Sequence, residues 1–312
     1  MIRQPSAALS CNHLEAAVMD TENKVTKAVE KYLDYYRDIV SGETASNAKR
    51  TLTDFAAYLQ SANVSLGNIS IDQVDQFLAV CNKGYAPGTC KIHRSCIRKF
   101  LKYLYQYEDL KKDLSALIVS PPEFGQLKPI KFLRAHEVQK LFDSLELSTA
   151  KDLRTNAAIH LAYYLGLRPK EIRSLTLDDI SFRQKEIFIR SRKNCNPAHL
   201  PLPDNIIKAI TAYIVGGRPE TQSRVLFLQL IPPYKPTNTN DIPRDIKECM
   251  TKNNLASSTY WLRHSFAQNM LESGMSLYEI KEMMGHKSLD STKKYLSIHI
   301  GLMREVILDE TF

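Results

Sequence analysis

The sequence predicts a mainly α-helical protein with a small β-sheet, divided into an N-terminal helical bundle and a C-terminal mixed α+β domain. The chain has 312 residues, about two domains' worth. Apolar residues recur at spacings of three and four through most of it, as in amphipathic helices. A stretch with three prolines and one glycine interrupts this periodicity and indicates a linker. The predicted parts are an N-terminal tail (1–21), a helical domain (22–118), the linker (119–131) and a C-terminal domain (132–312) whose tail begins at about residue 298.

Composition excludes several classes of protein. No apolar run approaches the ~18 residues that a membrane-spanning helix needs, and residues 1–20 lack the apolar stretch of a secretory signal. The six cysteines form no C-x-x-C pair, which argues against a disulfide scaffold or zinc ribbon and favours a reducing cytoplasm. The 42 Lys and Arg against 34 Asp and Glu give a net charge of +8, which permits a polyanionic partner without requiring one.

Four helices are predicted before the linker. The first covers residues 22–41 and should bury Val25, Val29, Tyr32, Tyr36 and Ile39. The second covers residues 44–61, the third follows Ser70, and the fourth runs from about Gly88 to Tyr107. Helices of this period with short connections favour a compact bundle.

The fourth helix carries a basic face. At about 100° per residue, one narrow arc of its surface holds four cations and no acid, namely Lys91, Arg94, Arg98 and Lys102. The opposite side is apolar and includes Ile92, Cys96, Ile97 and Phe100. A row of positive charges on one face of a helix, with an apolar face opposite, is typical of a phosphate-binding helix. A merely solvated charged face is the alternative, although such faces usually mix both signs.

After the linker the pattern is mixed. A helix over 154–166 should end at Gly166, and another should follow Pro169. Two short strands, 186–192 and 198–202, flank a polar turn. Further helices are predicted over 204–215, 258–272, 276–284 and 290–297. Ser276 and Glu279 form a capping box for one of these helices, which Gly285 should close.

The sequence has four features that could contribute to catalysis, and two of them lie at a helix start and in the turn between the two predicted strands. The stretch GLRPKEIRSL places Arg168 at a helix start, where an anion is already favoured and a guanidinium adds a permanently charged fork. Taken alone, Arg168 fits an ordinary helix-start arginine paired with Glu171. Lys193 lies in the turn between the two strands, where a lysine is usually just exposed.

The other two features lie near the C-terminus. In TYWLRHSFAQNM, Tyr260 and Arg263 are three residues apart and share a helix face. His264 points about 100° away from Arg263, so a structural role is predicted for it. In MGHKSLDSTKKYL, His286 follows a glycine turn and Tyr295 comes nine residues later. Each feature alone has an ordinary explanation in packing or solvation.

The order and spacing of all four features resemble those of the tyrosine recombinase, or phage-integrase-like, family. That family is marked by an Arg in a G-L-R-x-x-E stretch, a hairpin Lys, an H-x-x-R motif within L-R-H-S-F-A, and an L-G-H motif nine residues before a nucleophilic Tyr. The resemblance covers about residues 130–297, and residues 22–118 look like the family's helical core-binding domain. One departure is Tyr260 in place of the usual His. A phenol donates a hydrogen bond but is a poor base at neutral pH, so Tyr260 is expected to contact the phosphate or the nucleophile.

The resemblance implies DNA cleavage and rejoining by transesterification, with no metal and no cofactor. It makes Tyr295 the nucleophile that forms a 3′-phosphotyrosyl link, Arg168 and Arg263 the clamp on the phosphate oxygens, and His286 a further donor to them. It makes Lys193 the general acid for the departing 5′-oxygen, while Glu171 orients Arg168.

The resemblance also implies partners. These are double-stranded DNA and a homo-tetrameric synaptic complex with protomers bound pairwise on each site, in the cytoplasm and at the nucleoid. The apolar tail would pack on its own domain or dock on a neighbouring protomer. The predicted function is a mobile-element recombinase. The alternatives are a Xer-like dimer resolvase, a topoisomerase or telomere resolvase, and a catalytically silent DNA-binding regulator.

Overall fold

A computed structural model describes residues 24–107, 109–119, 130–190, 192, 197–255, 258–286, 289–293 and 295. The chain forms two compact units, residues 1–124 and 125–312. The division falls inside the predicted linker, but residues 120–129 lie outside the described ones, so the predicted linker and domain boundaries stay predictions. Both predicted terminal tails also lie outside the described residues. Within the described part, no helix is long and apolar enough to cross a membrane.

The described part of the N-terminal unit contains four α-helices: α1 (24–37), α2 (Gly42–Ser61), α3 (Ile71–Cys81) and α4 (Pro87–Gln106). Ser70 caps α3 in a reciprocal capping box with Gln73, which satisfies two otherwise unpaired N–H groups. A proline at the first position of α4 supplies a backbone angle that suits a helix start. The helices bury one continuous apolar cluster, in which the rings of Phe55 and Phe77 lie 4.9 Å apart.

Two residues that the sequence pattern assigned to this core are exposed. Ile39 is 60% exposed because α1 ends at residue 37 and the chain turns before reaching it. Ile92 is 48% exposed, and its neighbour His93 is buried instead, with its ring against Tyr85. The apolar face of α4 is therefore rotated by about one residue at its N-terminal end.

The C-terminal unit surrounds one buried helix. Its elements are α5 (Ala135–Asp143), α6 (Ala150–Tyr164), α7 (Pro169–Ser174), β1 (Ile180–Ser181), β2 (Glu186–Ile189), β3 (Ala198–Pro201), α8 (Asp204–Gly216), α9 (Asp241–Lys252), α10 (Thr259–Glu272), α11 (Leu277–Met284) and α12 (Asp290–Lys293). Helix α6 packs against α8, α9 and α10, and so it is apolar on more than one side. The three strands form an antiparallel sheet in the order β1-β2-β3, and β2 turns Ile187 and Ile189 into the core.

Helices α5 and α9 and strand β1 were not predicted from the sequence. In α9, Pro243 falls in the first turn, where its missing N–H breaks no helical hydrogen bond. Helix α9 is tied to α6 by a buried ion pair, in which Arg154 donates to Asp245 at 2.6 Å. The strands are also shorter than the predicted 186–192 and 198–202, since β2 ends at Ile189 and β3 at Pro201.

Candidate active site

Arg168 is held at the start of α7 by its own helix. The chain leaves α6 through Gly166, whose φ of +60° favours glycine and where a Cβ would collide with the ring of Phe266. Arg168 is the N-cap residue, and its backbone N–H donates to Glu171 Oε2 at 2.8 Å. Its side chain also donates from Nη1 to Glu171 Oε1 at 2.6 Å. Glu171 is only 2% exposed, so this carboxylate fixes the orientation of the guanidinium.

Arg263 lies on α10 and is buried. Its Nη1 donates to the backbone oxygen of Gly166, and its Nη2 donates to the backbone oxygen of Met284 at 2.6 Å. The carboxylate of Glu171 lies 3.8 Å from Nη1. Burial and the nearby charge of Arg168 lower the pKa of Arg263 to about 10, so the guanidinium still carries its charge at neutral pH.

Three guanidiniums converge on the C-terminal end of α11. The last carbonyls of a helix lack intrahelical partners and carry the negative end of the helix dipole, so arginines stabilise this end. The acceptor carbonyls and their donors are Glu282 and Met283 with Arg192, Met284 with Arg263, and Gly285 with Arg168. The same helix end therefore positions both predicted clamp arginines.

Gly285 closes α11 in the left-handed conformation, with φ of +61°. A Cβ at this position would lie 2.9 Å from Nε of Arg192. Glycine is thus required twice, by the backbone angle and by the close approach of a side chain. Arg192 was not singled out from the sequence, and the only available signal was its position next to Lys193.

His286 follows Gly285 and is half-buried. Its Nε2 lies 3.3 Å from Nη2 of Arg263, and its Nδ1 lies 2.9 Å from Oγ1 of Thr292. A guanidinium can only donate, so Nε2 accepts and the proton sits on Nδ1, which donates to Thr292. Burial, with the charges of Arg263 and Arg168, lowers the pKa of His286 to about 3, so the ring is neutral at neutral pH.

Tyr295 is buried, with 1% of its surface exposed. Its ring packs in a small apolar cluster that includes Phe266 and Met284. The hydroxyl lies 2.8 Å from Nδ1 of His264, one turn after Tyr260 on α10. Burial raises the pKa of Tyr295 to about 12, although the charges of the two clamp arginines act in the opposite direction. The phenol is consequently protonated at neutral pH.

The structure brings Arg168, Glu171, Arg263, His286 and Tyr295 into one cluster. Their predicted catalytic roles stay predictions, since nothing in the apo geometry tests them. Tyr260 does not join this cluster. Tyr260 is 52% exposed, and its recorded hydrogen bond is made by its backbone N–H to Ser258. Lys193 lies outside the described residues.

The structural role predicted for His264 stays a prediction. The sequence did not show the bond between its Nδ1 and the hydroxyl of Tyr295. The partner comes from after α12, and helical spacing within α10 carries no signal for such a contact.

The predicted DNA-binding residues of α4 lie in the N-terminal unit. Lys91 and Lys102 are exposed, whereas Arg94 and Arg98 are half-buried. Arg98 donates to the backbone oxygen of Ile118, so its guanidinium also fastens the end of this unit. Among the described residues of the chain, no group of three or more His, Cys, Asp or Glu is placed to hold a metal ion.

Two family models match the chain. The N-terminal SAM-like domain of phage integrases matches residues 29–108, and the phage integrase family matches residues 131–299, more than half of the chain. The chain belongs to the phage integrase family. This confirms the family, the mainly helical fold class and the tyrosine recombinase type of enzyme that the motifs predicted.

Curated relatives of this phage integrase family member are recombinases. A putative integrase/recombinase of Sinorhizobium fredii is 27% identical over 301 residues, covering 94% of this chain and 73% of the relative. A tyrosine recombinase XerD of Staphylococcus epidermidis is 26% identical over 292 residues, covering 89% of this chain and 96% of the relative.

Solved structures show the same fold. A XerH site-specific recombinase bound to its difH substrate is similar with a TM-score of 0.68 at 19% identity, over 86% of this chain and 80% of that one. The Tn1549 transposon integrase in complex with circular intermediate DNA is similar with a TM-score of 0.65 at 16% identity, over 87% of this chain and 94% of that one.

Proposed function

We propose that this phage integrase family member is a site-specific recombinase that cleaves and rejoins double-stranded DNA through a 3′-phosphotyrosyl intermediate on Tyr295. The observation that carries the proposal is the cluster at the end of α11. There two buried or half-buried guanidiniums and a neutral imidazole are held by hydrogen bonds, and the charges of both guanidiniums act on the buried Tyr295. Such a cluster supplies a nucleophile beside fixed positive charge.

The residues suit transesterification at phosphorus. The Tyr295 oxygen forms the new P–O bond, and the bond to the 5′-oxygen breaks. Charge that develops on the non-bridging oxygens is met by Arg168 and Arg263, whose orientation is already set by Glu171 and by backbone carbonyls. Lys193 protonates the departing 5′-oxygen as general acid. The bond energy is kept in the phosphotyrosyl link, so rejoining needs no nucleotide.

His286 has a more specific part than a simple donor. In the structure its Nε2 accepts from Arg263, and its Nδ1–H goes to Thr292. To donate a hydrogen bond to a phosphate oxygen, Nε2 of His286 would have to carry a proton and give up its contact with Arg263. We propose that His286 first holds the Arg263 fork in place and turns to the phosphate when DNA binds.

Double-stranded DNA is the proposed partner. The similar XerH and Tn1549 integrase structures are complexes with DNA. In this chain, the basic face of α4 presents Lys91, Arg94 and Lys102 without an intervening acid, which suits a phosphate backbone. The proposed working form is a homo-tetramer with protomers paired on each site, acting in the cytoplasm where its DNA lies.

The favoured biological role is integration or excision of a mobile element. A putative integrase/recombinase and a transposon integrase among the similar proteins support it. Resolution of chromosome or plasmid dimers is the second candidate, because XerC and XerD relatives align over 96% of their own length. A silent DNA-binding regulator is disfavoured, because such a protein would have no need of the assembled arginine, histidine and tyrosine cluster.

The test is recovery of covalently bound DNA from cells that express the wild-type chain, Tyr295→Phe or Tyr278→Phe. Tyr278 is an exposed tyrosine of α11 and serves as the matched control. After denaturation, discrete DNA sites with a 3′ linkage should be recovered from wild type and Tyr278→Phe but not from Tyr295→Phe. DNA binding by the wild-type chain without any covalent adduct would support a catalytically silent DNA-binding regulator instead. Exchanged strands between two recovered sites distinguish a recombinase from a topoisomerase or a hairpin-forming resolvase.

A further inference from the structure

The hydroxyl of Tyr295 faces an imidazole rather than a guanidinium. Its oxygen lies 2.8 Å from Nδ1 of His264, and the two ring centroids are 5.7 Å apart. His264 is half-buried on α10, immediately after the clamp arginine Arg263. The nucleophile and this imidazole are 31 residues apart in the chain and are brought together by packing.

A buried phenol needs a proton acceptor to become a nucleophile. Burial raises the pKa of Tyr295 to about 12, so solvent hydroxide is a poor route to the phenolate at neutral pH. The other groups near the cluster are poorly suited to take the proton. The Glu171 carboxylate is bonded to Arg168 and to the backbone, and His286 places its unprotonated nitrogen against Arg263.

We propose that His264 is the general base that accepts the proton of Tyr295. This role rests on the recombinase function proposed above. As the Tyr295 oxygen forms the bond to phosphorus, its proton passes to Nδ1 of His264, and the bond from phosphorus to the 5′-oxygen breaks with protonation of that oxygen by Lys193. In rejoining, the 5′-hydroxyl gives its proton back to Lys193 and attacks phosphorus, the bond from phosphorus to the tyrosine oxygen breaks, and the imidazolium returns its proton to that oxygen.

The charges around the pair favour transfer in this direction. Among the described residues, the charged and titratable groups that act on the pair are Arg263 on α10 and Arg168 at the start of α7, which act on Tyr295, and His286 after α11, which interacts with His264. The guanidiniums of Arg263 and Arg168 lower the pKa of Tyr295 and so stabilise a developing phenolate.

Tyr260 does not compete for the role. It lies one turn before His264 on α10, at the i, i+4 position, so the two side chains emerge near each other. A phenol is a poor base at neutral pH, and Tyr260 is exposed whereas Tyr295 is buried. His264 thus supplies an imidazole beside the nucleophile, although the usual His of the H-x-x-R motif is replaced here by Tyr260.

The experiment measures single-turnover formation of the covalent adduct on a nicked suicide substrate built from a recovered site. Rates are compared from about pH 6 to about pH 10 for the wild-type chain, His264→Gln, His264→Ala and His160→Gln. His160 is a half-buried histidine of α6 whose ring bonds a backbone oxygen, so its replacement controls for the loss of an imidazole from the same unit. DNA affinity and unfolding midpoints are measured alongside.

We expect His264→Gln to slow adduct formation at neutral pH by about 10²–10⁴-fold with DNA affinity unchanged. The deficit should shrink as the pH rises towards ionisation of the phenol, and added imidazole should restore part of the rate to His264→Ala. His160→Gln should follow the wild-type profile.

A deficit of equal size at every pH, without rescue by imidazole, would overturn the role while leaving the recombinase function intact. A faster rate in His264→Gln would also overturn it, because the bond would then be restraining the nucleophile. A wild-type chain that forms no adduct would instead overturn the recombinase function and this role together.

Discussion

Arg168 donates a hydrogen bond to the backbone oxygen of Gly285 at 2.9 Å, which joins the start of α7 to the end of α11. The two residues are 117 positions apart and belong to different motifs. The bond uses one arm of the guanidinium, while another arm is held by Glu171. A ligand therefore meets an arginine whose orientation was set in advance, which is the condition for strong electrostatic stabilisation.

Replacing Arg168 by Ala should slow DNA cleavage by about 10²–10³-fold, since a preorganised donor to a developing oxyanion is removed. DNA affinity should change much less, because the other cations proposed to contact the DNA backbone are retained. The measurement is single-turnover adduct formation beside a binding titration. Arg244→Ala, at an exposed arginine of α9, is the control and should behave as wild type. Cleavage by Arg168→Ala at the wild-type rate would refute the clamp.

Replacing Gly285 by Ala should lower the free energy of unfolding by about 1–2 kcal/mol or more, because a side chain is strained at positive φ. The added Cβ also meets Arg192 at 2.9 Å. Gly274→Ala is a matched control, since Gly274 has φ of +86° and nothing within 4 Å of the added atom. Denaturant titrations should show the larger loss for Gly285→Ala. Equal losses in the two variants would mean that the contact with Arg192 does not contribute to the destabilisation.

Stability should fall at low pH through His286. Its pKa is about 3 in the folded chain against 6.5 as the ordinary value, so the folded state resists protonation of this ring. The contribution is complete above about pH 6.5 and is lost as the pH falls towards about 3. Denaturant titrations of wild type and His286→Gln should therefore converge as the solution is acidified. A difference independent of pH would contradict the neutral, buried state of the ring.

Neutralising the basic face of α4 should weaken DNA binding mainly at low salt. Arg94→Gln and Lys102→Gln should each reduce the slope of log affinity against log salt by about 1, as expected for one phosphate contact. Lys27→Gln, which removes an exposed charge from α1, is the comparison. Arg98→Gln should in addition lower the unfolding midpoint, because Arg98 bonds the backbone of Ile118. Unchanged slopes in Arg94→Gln and Lys102→Gln would assign this face to solvent.

The sequence motifs were sufficient to identify the family, and the helical periodicity was sufficient to predict most of the helices. The capping box at Ser276 and the closing Gly285 follow from short-range geometry, and the structure contains both. The motifs also contained Arg168, Arg263 and His286, which meet at the end of α11, but they included Tyr260, which does not join them, and missed Arg192, which does. The pattern did not show that α1 stops short of Ile39, or that α9 tolerates Pro243 in its first turn.

The sequence by itself determined the family, the helical character of the chain and the residue types of the site, because motifs and helical period are local properties. Only the tertiary structure decided that three guanidiniums share the last carbonyls of α11 and that His264, rather than Tyr260, faces the hydroxyl of Tyr295. Those contacts join residues 21 to 117 positions apart. Helical spacing fixes directions within one helix, whereas the packing of α7, α10 and α11 fixes which directions meet.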